Sequence, residues 1–134
     1  MKIIFTVMIA LGLLGGCTTT KPDMAILEQY RKTTITLPII EEQAKLIAQK
    51  ELVDIALHRQ YTLTEPTIMK DFEGVGRQEL FWFVAFNEIS RSTIPTVYMI
   101  VIEKSTGKIK FSKSYVLGKE WILEAALNGH MIKK

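Results

Sequence analysis

Between Glu79 and Glu88 the chain reads Leu80-Phe81-Trp82-Phe83-Val84-Ala85-Phe86, rich in aromatic residues and apolar at both sets of alternating positions. Successive side chains of a strand point to opposite faces. A segment of this composition is therefore a central strand with cover on both sides. A helix supplies one cover. The other is a ligand, a partner or the carboxy-terminal segment.

The following elements are legible from period and punctuation. Asn87 to Pro95 is a polar loop with Arg91 at its middle. Thr96 to Glu103 is the next strand, with Val97, Met99 and Val101 opposing Tyr98, Ile100 and Ile102. Lys104-Ser105-Thr106-Gly107-Lys108 is a tight turn in which Gly107 is free to take a positive φ. Ile109 and Phe111 open a returning strand, with Lys108, Lys110 and Ser112 on its polar face. Lys119 to Asn128 reads as a second helix: Trp121, Ile122, Ala125 and Ala126 recur at three- and four-residue steps, and Gly129 is a C-cap. Trp121 is expected in the core, with the lining of a ligand cleft as the alternative, and His130 in a solvated tail.

The covering helix is expected from Pro38 to about Gln60. Pro38 suits a first turn, and Glu41 and Glu42 favour the positive end of the helix dipole. Ala44, Ala48, Leu52, Ile55 and Ala56 line one face, with Leu46, Val53 and Leu57 beside them. The small alanines predict close packing on a sheet. Upstream, Met24 to Arg31 has helical spacing and Thr33-Thr34-Ile35-Thr36 ends it. Tyr61 to Lys70, broken by Pro66, reads as an edge strand or two short pieces. Asp71-Phe72-Glu73-Gly74-Val75-Gly76-Arg77 reads as a hairpin turn. Its Gly-x-Gly lacks the third glycine, the Lys-Ser/Thr pair and the following helix of a phosphate loop.

The amino terminus has a different character. Ile3 to Leu14 is apolar apart from Thr6 and Gly12, is preceded by Lys2 and is followed by Gly15-Gly16-Cys17. A cationic start, a short apolar middle and a small-residue cleavage zone are the parts of a secretory signal. The run is shorter than the roughly 20 residues that span a bilayer. Leu14-Gly15-Gly16-Cys17 resembles the lipobox of bacterial lipoproteins. That resemblance implies cleavage after Gly16, a diacylglyceryl group on Cys17, amino-terminal acylation, and anchoring in the cell envelope. Thr18, standing where Asp would act as a retention signal in enteric bacteria, implies the outer membrane facing the periplasm. The organisation expected is a signal peptide over 1–16, a lipidated tether with a short helix over 17–36, and one α+β domain over 37–134. Thr18 to Asp23 reads as the lift off the membrane.

Charge and cysteine content narrow the function classes. The net charge of +3 falls by one without Lys2, and no Lys/Arg cluster suits a phosphate-tracking groove, so nucleic acid is not the expected partner. Cys17 is the sole cysteine, so the domain is held by its core alone. A catalytic nucleophile needs a base and an orienting group. His58 and His130 stand in no such setting, and Asp54, four residues from His58, supplies only one plausible partner for a zinc-binding arrangement. Glu41/Glu42 and Glu88/Glu103 read as caps or solvated carboxylates. No enzyme, cofactor or metal is expected.

A helix carrying Ala44-x-x-Ile47-Ala48, then Trp82-x-Val84-x-Phe86, then Tyr98-x-Ile100-x-Ile102-Glu103-x-x-Thr106-Gly107-x-Ile109 is similar to PepSY-like domains and to small NTF2-like immunity proteins. In both, a helix packs on an antiparallel meander. The resemblance covers about half the mature chain, and Glu103 stands where those families usually have Asp. It implies an α+β fold of cystatin/NTF2/PepSY type: a long helix on about four antiparallel strands, with a C-terminal helix. It also implies binding and inhibition of a protein partner in the envelope, as immunity proteins and peptidase inhibitors do. The candidate partner contacts are Arg91 and Ile89 in the polar loop, with Arg77. An assembly lipoprotein, or a carrier with a cavity between sheet and C-terminal helix, are the alternatives.

Overall fold

The computed structural model describes residues 21–90 and 93–128. The signal, Cys17, Arg91, Gly129 and His130 lie outside them. Among the described residues the chain forms α1 (Pro22–Lys32), α2 (Glu41–Asp54), β1 (Thr67–Met69), β2 (Phe81–Asn87), β3 (Thr96–Glu103), β4 (Ile109–Val116) and α3 (Glu120–Leu127). A 3-10 turn over Gln78–Leu80 leads into β2. The four strands form one antiparallel sheet in the order β1-β2-β3-β4, so the α+β expectation holds.

β2 and β3 lie inside the sheet, and their alternation divides the core in two. Val84, Phe86, Tyr98, Ile100 and Ile102 join α2 on the first face. Ala44, Ala48 and Leu52 of that helix are fully buried against them, and a helix face of small residues permits this approach. On the second face Phe81, Phe83, Ala85, Val97, Met99 and Val101 meet Phe72 and Val75 from the β1–β2 connection and Leu123 from α3. The second cover of β2 is thus the carboxy-terminal helix, helped by a loop. The space between sheet and α3 is filled by side chains, including Phe72 against Phe83 at 4.6 Å between ring centres.

That loop is no simple hairpin turn. Gln78 folds it inward: its Oε1 accepts from Phe72 N–H at 2.8 Å, and its Nε2 donates to the carbonyls of Phe72 and Val75. Glu124 of α3 holds the other side, accepting from Gly76 N–H at 2.7 Å.

Several boundaries differ from the sequence reading. α2 begins at Glu41, after Pro38, whose bond to Leu37 is cis. Ile39 is held extended instead: its N–H donates to Lys104 O at 2.8 Å and its carbonyl accepts from Trp82 Nε1 at 2.7 Å. α2 also ends early. Leu57 N–H donates to Leu52 O and Ala56 N–H to Val53 O, a Schellman closure with Ala56 left-handed at φ 62. Ile55 and Ala56 therefore leave the buried face. α1 begins at Pro22, so Pro22 and Asp23 of the expected tether are helical; Ile26 buries against α2 while Met24 stays exposed.

In β4 a register shift opposite Val101/Ile102 sends Phe111 to the second face and Ile109 toward the first. The expectation that both share one face fails because a bulge inserts one residue and inverts the alternation. Trp121 is the largest departure. It is 64% exposed, and Leu123 takes the core position of α3.

Candidate partner-binding surface

One end of the sheet is organised around the β3–β4 turn. Gly107 there has φ +76, and a Cβ at that position would lie 3.4 Å from Ile39 Cδ1 and 3.8 Å from Leu37 Cδ2. Residues 37–40 thus lie against the turn. Lys104 completes the junction: its N–H donates to Leu80 O at 3.0 Å, and its Nζ lies 4.5 Å from the centre of the Trp82 ring. Leu37, Ile40 and Leu80 are thereby fixed around one turn yet remain 58%, 54% and 43% exposed. Beside them a groove of about 290 Å³ runs along β1 and β2, lined by Ile68, Met69, Lys70, Asp71, Trp82 and Lys104 among others.

Contiguous exposed apolar side chains mark interaction surfaces when the patch is large. Here backbone hydrogen bonds position the patch from three separate segments: the α1–α2 connection, the 3-10 turn and the β3–β4 turn. Trp82 joins them, since its ring lies under Lys104 and its N–H holds Ile39.

Of the residues singled out from sequence, Arg77 adjoins this end, its carbonyl accepting from Leu80 N–H at 3.1 Å, and Ile89 falls elsewhere. Ile89 is exposed beyond the far end of β2, with its N–H donating to Gln60 O at 3.0 Å. Arg77 precedes the 3-10 turn in a left-handed conformation, φ 54. The seven residues of β2, about 20 Å of strand rise, lie between the two. Arg91 and Cys17 are outside the described residues. Leu37, Ile40 and Leu80 escaped the sequence reading because each resembles a core leucine or isoleucine. The signal that remained was position: Leu37 and Ile40 flank Pro38 before a helix, and Leu80 precedes the central strand.

The titratable residues make other pairings. His58 Nε2 lies 3.4 Å from Asp23 Oδ2, clamping the start of α1 to the segment after α2. Asp54, its candidate companion, instead accepts from Lys50, and that hydrogen bond raises the Lys50 pKa. Glu41 and Glu42 occupy the first turn of α2, as their sequence position predicts. Glu103 accepts from Thr106 Oγ1 at 2.7 Å and so serves the turn. Among the described residues no group of three or more His, Cys, Asp or Glu is placed to hold a metal ion.

No family model, curated protein or solved structure matches the chain. Among the described residues no helix is long and apolar enough to cross a membrane.

Proposed function

We propose that this is a non-catalytic lipoprotein of the bacterial cell envelope, anchored through acyl chains on Cys17, that binds and inhibits a protein partner. The observation that carries the binding role is the exposed triad Leu37, Ile40 and Leu80, locked around Lys104 at one end of the sheet. Apolar anchors preorganised in this way lose little freedom on association, which favours affinity. Trp82 at the edge of the groove adds an aromatic, a side-chain type enriched at interface centres, with the Lys104 ammonium beside its ring. The anchor rests on Leu14-Gly15-Gly16-Cys17 and the signal-like run before it. A protein so tethered acts by covering its partner's functional surface.

The test is capture from envelope extracts by the acylated chain, followed by assay of the captured protein's own activity. Leu80→Glu is expected to abolish capture and inhibition, because an unpaired carboxylate would have to be desolvated at the contact. Capture undiminished by Leu80→Glu would refute the assigned surface. Hydrolase turnover by the purified chain itself would refute the non-catalytic reading.

A further inference from the structure

The opposite end of the sheet carries a second exposed apolar set, and the amino-terminal side of α1 sits there too. The clamp between Asp23 and His58 places Pro22 beside the segment following α2. Lys21, Pro22, Asp23, His58, Arg59 and Leu63 surround one cleft. Two residues after His58, Gln60 O accepts from Ile89 N–H, and Thr62 N–H donates to Asn87 O at 2.7 Å. The entry of α1 and the far end of β2 are therefore neighbours. On the other side of that end Leu117 N–H donates to Pro95 O, closing the end of β4 onto the β2–β3 connection.

Ile89 and Ile94 are each 57% exposed here, and Leu117 is exposed beside them. Trp121 follows four residues after Leu117, in the first turn of α3 where that helix leaves the same end. A groove of about 320 Å³ between Asn87, Ile94, Pro95 and Leu117 separates the two sides. None of these apolar side chains belongs to either core cluster.

We infer that this end is a membrane-docking face, in which Ile89, Ile94, Leu117 and Trp121 enter the headgroup zone of the bilayer that holds the acyl chains. The inference rests on the lipid anchor proposed above. Only Thr18, Thr19 and Thr20 stand between Cys17 and Lys21. At no more than about 3.5 Å per residue, the four steps reach at most about 14 Å. The tether thus brings the α1 entry, and the end that surrounds it, to the lipid surface. Isoleucine, leucine and tryptophan are the side chains suited to that boundary, tryptophan most of all. Charge is not the recognised feature, since among the described residues Lys21, Arg59 and Lys119 on this end are offset by Asp23, Glu88 and Glu120. The docked orientation points the Leu37, Ile40 and Leu80 patch away from the membrane, toward a partner.

The experiment uses the acylated full chain in vesicles of phosphatidylethanolamine and phosphatidylglycerol containing brominated phosphatidylcholine. Tryptophan emission is expected to shift to the blue and to be quenched by bromine, at low and high salt alike. Trp121→Phe removes the response and identifies its source, because Trp82 lies at the other end. Ile89→Glu combined with Leu117→Glu is expected to lose most of the quenching while flotation with vesicles persists. Unshifted and unquenched emission from protein that floats and carries acylated Cys17 overturns the docking face and leaves the anchor standing. Failure to float with an unmodified Cys17 overturns the anchor and the docking face with it. If the double variant loses capture of a protein partner but keeps its quenching, the face is a protein interface and the inference fails.

Discussion

Trp82→Phe probes the link between the core and the proposed binding surface. Trp82 Nε1–H donates to the Ile39 carbonyl at 2.7 Å, and Ile39 is only 2% exposed, so water cannot readily replace the lost donor. Stranding a buried acceptor costs about 1–3 kcal/mol. The Lys104 ammonium over the ring adds about 0.5–1 kcal/mol that a phenyl ring retains in part. Lost indole area contributes about 1 kcal/mol more. Together they give a destabilisation of about 2–4 kcal/mol. Urea unfolding followed by circular dichroism measures it, with Lys104→Ala as the comparison expected to lose no more than about 1 kcal/mol. Because Ile39 is the hinge between Leu37 and Ile40, Trp82→Phe is also expected to weaken partner capture more than Lys104→Ala does. A loss below about 0.5 kcal/mol, the range of ordinary surface changes, would refute the reasoning that Ile39 is pinned by this bond.

Tyr115 is buried beside Glu120, and burial first, then the Glu120 charge and a hydrogen bond with its carboxylate, pushes its pKa up to about 12. The fold favours the neutral phenol, so stability is full below the ordinary value of 10.0 and falls as pH rises toward 12, by at most about 2–3 kcal/mol. Tyr115→Phe should remove that portion of the alkaline loss and change stability at neutral pH by no more than about 1 kcal/mol; an unchanged alkaline slope contradicts this. Leu123→Ala should cost about 2–5 kcal/mol and Trp121→Ala less than about 0.5 kcal/mol, the reverse of what size alone suggests; calorimetric melting decides between them. Ala56→Gly should raise stability by about 1 kcal/mol by relieving a left-handed alanine, read from the urea midpoint, and a loss would mean that the Schellman closure is misplaced.

The antiparallel core was legible because short runs of aromatic and β-branched residues bounded by turn signals read as buried strands. Phe81 to Phe86 and Val97 to Ile102 were assigned to opposite faces from sequence, and they occupy them. What sequence could not show were the places where tertiary bonds override local signals. Pro38 looks like a helix start, but Lys104 and Trp82 hold Ile39 extended. Ala56 carries no stop signal, yet it ends α2 in the conformation glycine usually supplies. The bulge in β4 inverts one face of a strand whose pattern looked regular. Trp121 and Leu123 sit two residues apart in a short helix, and it is Leu123 that joins Phe72 and Val75 in the core on the second face of the sheet. The patch proposed for binding was hidden for a related reason: Leu37, Ile40 and Leu80 are ordinary core residue types, left exposed where backbone bonds join distant segments.

The proposed envelope role depends first on the chemistry at Cys17, which intact-mass and peptide mass spectrometry of the mature protein read directly. The account predicts removal of residues 1–16 and a diacylglyceryl thioether on Cys17. A mature chain with a free Cys17 thiol, or one that retains the amino-terminal run, would contradict it.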